Sequence, residues 1–266
     1  MTVPDLPGFE RRSFTHDGVT RAVYHCGEGP AVVVMAEMPG ITPKVIEFAE
    51  RVRDIGCSVW MPHLFGEPGA RLGPVVLARA IAPGCVSKEF AAFAKGRTEP
   101  VSLWLRALAR HAHAESGGPG VGAIGMCFTG GFALGMTVDE SVLAPVLSQP
   151  SLPLGITRRH RADIHLSPDD LERVKQRTRD EGICVLGMRF THDRLVPADR
   201  FATLRRELGD AFIGVEIDSS PGNPHGIPRV AHSVVTENLV ADDPEHPTAG
   251  ALVRVLDFFR ERLLVA

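Results

Sequence analysis

The sequence predicts an α/β fold in which a doubly wound, mostly parallel sheet is flanked by helices. Two observations lead to this prediction. Short runs of β-branched and apolar residues alternate along the chain with segments whose apolar residues recur every three or four positions. In addition, one strand–helix–strand unit is visible near the start of the chain, and such a unit joins parallel strands. It consists of the strand-like run 31–36, the helical pattern that begins near Pro43 and the strand-like run 57–61.

Individual elements follow from local patterns. The dipeptide Asp17-Gly18 between two alternating runs predicts a hairpin over residues 9–26. Gly56 ends the first helix, and Ser167-Pro168, followed by two acidic residues, begins a later helix that ends at Gly182. The remaining predicted strands are 121–126, 142–147, 183–188 and 211–217, and the remaining predicted helices are 101–113, 128–136, 197–208 and 248–264.

Composition restricts the class of protein. With 266 residues, the chain is long enough to form one large domain over 1–266 whose core is stable without disulfide bonds. A net charge of -3 argues against a nucleic-acid binder, and no apolar run approaches the roughly 20 residues of a membrane span. The five cysteines contain no Cys-x-x-Cys pair, and the first residues lack a secretory signal pattern. We therefore expect a cytoplasmic protein without a metal site, and the sequence leaves both a monomer and a homodimer open.

Three long segments rich in glycine and proline are predicted to be loops: residues 63–85, 148–165 and 219–230. Long connections within a compact domain usually carry function. Open α/β sheets bind ligands beyond the carboxyl ends of their strands, where such loops lie. We expect these three loops to form the substrate pocket.

The segment 125–131, Gly-Met-Cys-Phe-Thr-Gly-Gly, carries the strongest chemical signal. A nucleophile at the tip of a tight strand-to-helix turn is the arrangement called the nucleophile elbow. The start of the following helix favours a thiolate at Cys127, and the N–H group of Phe128 is a candidate oxyanion donor. The alternative for any free cysteine is a small buried apolar residue, and this is the interpretation we favour for Cys26, Cys57 and Cys184.

A thiol nucleophile needs a base, and the base needs a group that orients it. Asp193 follows the predicted strand 183–188, and His232 follows the predicted strand 211–217, so both lie at the same edge of the sheet as the elbow. Asp193 could instead be a turn or capping residue. His225 is the main alternative to His232 as the base.

The chain resembles the dienelactone hydrolase family of the α/β-hydrolase superfamily, from the strand at residue 31 to the last helix. Gly125-Met126-Cys127-Phe128 fits the Gly-x-Cys-x-Gly-Gly elbow of that family. Asp193 ahead of Val196-Pro197 resembles its acid segment, and Ala231-His232-Ser233 resembles its Gly-His-Ser segment. The resemblance implies an α/β-hydrolase fold and a triad of Cys127, His232 and Asp193 acting on a small ester or lactone without a cofactor.

The same resemblance assigns roles to Glu37 and Met38, which follow the strand-like run 31–36. It implies that Glu37 contacts the resting thiol and moves away when substrate binds. The N–H group of Met38 would then be the second oxyanion donor, beside that of Phe128.

Two positions depart from the family pattern. Thr129 stands where the family usually has the first glycine of its pair, and Thr236 stands where the dienelactone enzymes carry an arginine that holds a carboxylate. We therefore expect a substrate other than dienelactone. Two alternatives stay open: thioester hydrolysis or acyl transfer on the same scaffold, or a non-catalytic binding protein of the same fold, for which Thr129 is the only hint.

Overall fold

The structure is a computed structural model that describes residues 4–71, 73, 100–151 and 157–264. Most of the predicted loop 63–85, with Cys85, lies outside these residues, as do positions 152–156 of the predicted loop 148–165.

Eight strands of the described chain form one sheet in the order β1-β2-β4-β3-β5-β6-β7-β8. β1, β2 and β4 pair antiparallel at one edge, and every pairing from β4 onward is parallel. The strands are β1 (Glu10–His16), β2 (Val19–Cys26), β3 (Ala31–Met35), β4 (Ser58–Pro62), β5 (Val121–Met126), β6 (Val142–Ser148), β7 (Val185–Phe190) and β8 (Phe212–Ile217). The helices are α1 (Pro43–Asp54), α2 (Pro100–Ser116), α3 (Gly130–Met136), α4 (Arg158–Ala162), α5 (Pro168–Asp180), α6 (Ala198–Leu208) and α7 (Pro247–Leu263).

The doubly wound architecture is confirmed by the two apolar clusters that flank the sheet. Helices α1 and α7 cover one face, and α2, α3, α5 and α6 cover the other. Strands β3, β5 and β7 are buried at every residue, as expected for parallel strands that have helices on both sides. None of the helices in the described ranges has both the length and the apolar character needed to cross a bilayer.

The predicted hairpin is present, with positive φ at both Asp17 (48°) and Gly18 (75°), as a two-residue turn of this type requires. The helix predicted over 128–136 is divided, because a 3₁₀ turn over Cys127–Thr129 precedes α3. The short helix α4 lies within a segment predicted to be loop, and Thr157 caps it by accepting a hydrogen bond from the His160 N–H group at 3.2 Å.

Candidate active site

The elbow is a sharply turned connection between β5 and α3. Cys127 has φ = 58°, a left-handed conformation that is costly for a residue with a side chain and that is found disproportionately at functional sites. A Cβ atom at Gly125 would lie 2.0 Å from the carbonyl oxygen of Thr129, and one at Gly130 would lie 2.8 Å from Cβ of Pro150. Only glycine fits these two positions, so the turn fixes the position of the Cys127 backbone.

Thr129 ties this turn to the neighbouring strand β3. Its side chain is fully buried, and its Oγ1 accepts a hydrogen bond from the Met126 N–H group at 2.8 Å. The hydroxyl proton can be donated to the carbonyl of Met126 at 2.7 Å or to that of Met35, at the end of β3, at 3.1 Å. The threonine therefore has room at this position, and it links the elbow to the strand that leads to Glu37 and Met38.

Asp193 and His232 meet at the carboxyl edge of the sheet. Oδ2 of Asp193 lies 2.5 Å from Nδ1 of His232, and Oδ1 of Asp193 accepts a hydrogen bond from the Leu195 N–H group at 2.9 Å. Asp193 thus combines the two interpretations that the sequence left open, because one oxygen shapes a turn and the other contacts the imidazole. The alternative histidine, His225, packs edge-on against His246, with ring centroids 5.5 Å apart.

The electrostatic environment favours the imidazolium form of His232. Burial of the ring opposes protonation, but interactions with Asp193 and with the Cys127 thiol outweigh it and raise the pKa of His232 to about 11. The other ring nitrogen, Nε2, is buried and has no hydrogen-bond partner among the described residues. That nitrogen is therefore available to a proton from the thiol or from a bound water.

The Cys127 thiol has a partner that was not predicted from the sequence. Its Sγ lies 2.9 Å from Oγ of Ser151, and the Ser151 N–H group donates to the Cys127 carbonyl at 3.1 Å. Ser151 is 3% exposed and follows β6 by three residues. The sequence offered one signal, because this serine falls within a segment predicted to be a pocket-forming loop.

Glu37 lies in a buried cage of hydrogen-bond donors. Ser233 Oγ and Gln149 Nε2 donate to its Oε2 at 2.5 and 3.1 Å, and Thr236 Oγ1 donates to its Oε1. Burial raises the pKa of Glu37, although the hydrogen bonds from Ser233 and Thr236 and the nearby His232 oppose this shift. The thiol pairs with Ser151 in this structure, so the contact between glutamate and resting thiol that the resemblance implies is not the arrangement present here.

The loop that carries His232 is held by amide side chains that sequence reasoning missed. Oδ1 of Asn238 accepts hydrogen bonds from the N–H groups of His232 and Ser233, both at 3.0 Å. Oε1 of Gln149 accepts one from the Val234 N–H group at 3.2 Å. Gln149 therefore connects this loop to Glu37, and the histidine is positioned by its backbone as well as by Asp193.

The two candidate oxyanion donors lie on different segments, one in the elbow and one after β3. Phe128 is the residue after Cys127 in the 3₁₀ turn, and its buried ring packs against those of Phe65 and Phe132. Met38 follows Glu37 and is joined to Pro39 by a cis peptide bond.

A cleft of about 440 Å³ opens beside His232. Its walls include the side chains of Arg194, Leu195, Arg229 and Val230 in addition to Asp193 and His232. Leu195 is 49% exposed and Val230 is 88% exposed, so apolar surface faces solvent next to two cations. Within the described ranges, no group of three His, Cys, Asp or Glu side chains could hold a metal ion.

The other described cysteines differ from Cys127. Cys26 and Cys57 are buried, and burial raises the pKa of each thiol to about 11. Cys184 is partly buried beside Arg262, whose Nη2 lies 3.0 Å from its sulfur.

An eight-stranded, mostly parallel sheet with an acid and a histidine paired beside a strand-to-helix turn defines an α/β-hydrolase. The sequence pattern of the dienelactone hydrolase family matches residues 20–263. The chain belongs to the dienelactone hydrolase family.

Solved structures share the fold at low sequence identity. A candidate dienelactone hydrolase from Klebsiella pneumoniae subsp. pneumoniae MGH 78578 superimposes with a TM-score of 0.61 at 18% identity, over 95% of this chain and 98% of that one. A dienelactone hydrolase-like promiscuous phosphotriesterase from metagenomic libraries gives 0.60 at 17% identity, over 96% and 98% of the two chains. A cold-adapted esterase from an Arctic intertidal metagenomic library gives 0.58 at 16% identity, over 98% and 97%. No curated protein matches the chain in sequence at a significant level.

Proposed function

We propose that the protein is a cysteine-dependent hydrolase of small esters or lactones. The observation that carries this proposal is the 2.5 Å contact between Asp193 and His232, beside a cysteine whose φ of 58° puts it at the tip of an elbow. A nucleophile, a base and an orienting acid are the parts that acyl transfer requires. Membership of the dienelactone hydrolase family supports the same reaction class.

In the first half of the proposed reaction, the thiol proton passes to Nε2 of His232 and the sulfur of Cys127 attacks the substrate carbonyl. Asp193 accepts the Nδ1–H hydrogen bond, which keeps Nε2 as the reacting nitrogen and stabilises the imidazolium. The raised pKa of His232 supports its holding this proton while the tetrahedral intermediate exists. We assign the oxyanion to the N–H groups of Phe128 and Met38.

The imidazolium then gives its proton to the leaving alkoxide, and a thioester remains on Cys127. In the second half, His232 takes a proton from water, the hydroxide attacks the thioester carbonyl, and the thiolate is expelled. For a lactone, the alkoxide that leaves in the first half stays attached to the acyl group, so the product is a single hydroxy acid.

For Glu37 we propose positioning of the His232 loop. Its carboxylate accepts hydrogen bonds from Ser233, directly after the histidine, and from Thr236, within the turn that follows. A buried carboxylate with three donors is held in place by them, since each lost hydrogen bond leaves a buried polar group unsatisfied.

The cleft supports a small substrate with an apolar part. A volume of about 440 Å³ is at the lower end of small-molecule pockets, and Leu195 and Val230 offer apolar contact. Arg194 and Arg229 add positive charge at the same rim, which favours substrates with a negative group away from the scissile bond.

The test is hydrolysis of a series of short p-nitrophenyl esters, with simple lactones and acyl thioesters in the same panel. We expect ester hydrolysis by the intact chain and loss of it in Cys127→Ala, with Cys26→Ala as the matched control that retains activity. Turnover that survives in Cys127→Ala would contradict the proposal, and preferential cleavage of thioesters would favour the thioesterase alternative.

A further inference from the structure

The contact between Cys127 and Ser151 has no role in the reaction as described so far. Ser151 Oγ is 2.9 Å from the Cys127 sulfur, within hydrogen-bond distance. When the sulfur is a neutral thiol, either atom can donate. When it is a thiolate, only the serine can donate, and hydrogen bonds to charged acceptors are roughly twice as strong as neutral ones. The same contact therefore stabilises the thiolate more than the thiol.

The serine is held in place from two sides. Its own N–H group donates to the Cys127 carbonyl at 3.1 Å, which connects the two backbones directly. The preceding residue, Pro150, accepts a hydrogen bond from Nη1 of Arg200 at 2.7 Å. Gln149, one residue earlier, has φ = 39° and donates its N–H to the Met188 carbonyl at 2.8 Å. A short segment so constrained holds the Ser151 hydroxyl at a fixed position relative to the elbow.

Arg200 also brings a buried positive charge to this region. Its side chain is 1% exposed, and its guanidinium donates to four backbone carbonyls, those of Pro150, His160, Asp163 and Leu195. No ion pair to a carboxylate is found for it in the described part of the chain. Burial lowers the pKa of Arg200 to about 10, while the charges of Asp163, Asp193 and Cys127 act in the opposite direction. The side chain is therefore a cation at neutral pH, with the cysteine within its electrostatic reach.

We infer that Ser151 is a further catalytic residue, which donates its hydroxyl hydrogen bond to the Cys127 thiolate and so keeps the nucleophile charged and oriented before substrate binds. In this step the thiol proton moves to Nε2 of His232, the sulfur keeps the electron pair, and the serine retains its own proton. Three charged or titratable groups surround the sulfur. His232, which is paired with Asp193, lies on one side, and Arg200, which binds the backbone next to Ser151, lies on the other. The inference rests on the proposed role of Cys127 as the nucleophile.

The inference differs from what the family resemblance implies. The resemblance implies a glutamate that contacts the resting thiol and moves away when substrate binds. Here, Glu37 is engaged by Ser233, Thr236 and Gln149, and the serine occupies the position beside the sulfur. A thiolate that exists without substrate would react with an alkylating reagent in the free enzyme.

The experiment is the rate of iodoacetamide alkylation of Cys127, followed by mass spectrometry of its peptide between pH 5 and pH 10. We expect Ser151→Ala to be alkylated about tenfold more slowly than the native chain at neutral pH, since one hydrogen bond to a charged group is lost. At the alkaline end the two rates should converge, because a thiol is ionised there without help. Ser151→Thr, which keeps the hydroxyl, should restore the native profile.

Two controls separate this effect from general disruption. Cys127→Ala should show no alkylation of this peptide, which assigns the signal to Cys127. Ser102→Ala removes a buried serine of helix α2 and should leave the alkylation profile unchanged. Equal alkylation of Ser151→Ala and the native chain at every pH would overturn the inference, as would a constant ratio at every pH. This readout does not depend on ester cleavage, so the two failures can be told apart. Equal alkylation with intact esterase activity would sink the role of Ser151 alone, whereas an alkylation difference without esterase activity would sink the proposed function and leave only the hydrogen bond from Ser151 to the thiolate.

Discussion

Thr129→Val tests whether the hydroxyl inside the elbow positions the nucleophile. Valine has nearly the same shape but leaves the buried Met126 N–H group without its 2.8 Å acceptor and removes the donor to the Met126 or Met35 carbonyl. An unsatisfied buried donor costs about 1–3 kcal/mol, so we expect urea denaturation to show a loss of that size in the free energy of unfolding. Loss of the link between the elbow and β3 should also lower kcat/KM for a p-nitrophenyl ester by about 10- to 100-fold, since small displacements of a nucleophile are costly.

The chain offers matched controls for this experiment. Thr129→Ser keeps the hydroxyl and should retain most of the activity. Thr137→Val removes another fully buried hydroxyl at the far end of the same helix, where it donates to the Ala133 carbonyl at 3.1 Å, and should lower stability without changing kcat/KM per folded molecule. Full activity in Thr129→Val, or a loss of activity equal to that in Thr137→Val, would refute the positioning argument.

Three further predictions concern the acid, the buried glutamate and the cleft. Asp193→Asn should lower kcat/KM by about 10³- to 10⁴-fold with little change in fold, because the amide can donate to Nδ1 of His232 and select the wrong tautomer; near-native steady-state kinetics would contradict this. The pKa of Glu37 is raised on folding, so the folded chain holds this proton more tightly than the unfolded chain, and the stability it contributes falls as pH rises from about 4.5 through the folded-state value. In thermal unfolding, the native chain should therefore lose stability relative to Glu37→Gln as pH rises over this window. A stability difference that does not change with pH would refute this. Replacing Arg194 and Arg229 by Ala should raise KM several-fold for an ester with a remote carboxylate and leave KM for a neutral ester unchanged; equal effects on both esters would show that the charges are not used.

The fold and the elbow could be predicted because their signals are local, whereas the choice of His232 over His225 came from the family resemblance. The hairpin is fixed by Asp17-Gly18, and the elbow is marked by glycines that the structure shows to be sterically required at 125 and 130. Asp193 and His232 follow parallel strands, and the carboxyl ends of such strands meet at one edge of the sheet. That topology brings the two loops together, and the structure places the two side chains in contact.

The parts of the site that could not be predicted from the sequence depend on contacts between distant segments. Ser151 reaches the thiol only because β6 lies beside β5 in the sheet. Asn238 and Gln149 bind backbone groups of the His232 loop, and no pattern in their own neighbourhoods indicates it. Glu37 follows β3 as expected, but its partners could not be foreseen, because the hydroxyl groups of Ser233 and Thr236 and the amide of Gln149 lie between 112 and 199 positions away in the chain.

The central claim is that Cys127 forms a covalent acyl intermediate during ester cleavage. The most direct measurement is rapid acid quenching of the enzyme with p-nitrophenyl acetate, followed by peptide mass spectrometry. We predict an acetyl group on the peptide that contains Cys127 in the native chain, accumulating with the initial burst of p-nitrophenol, and none on that peptide in Cys127→Ala. Continued turnover with no acyl group on Cys127 at any time, or with the acyl group on another residue, would contradict the account.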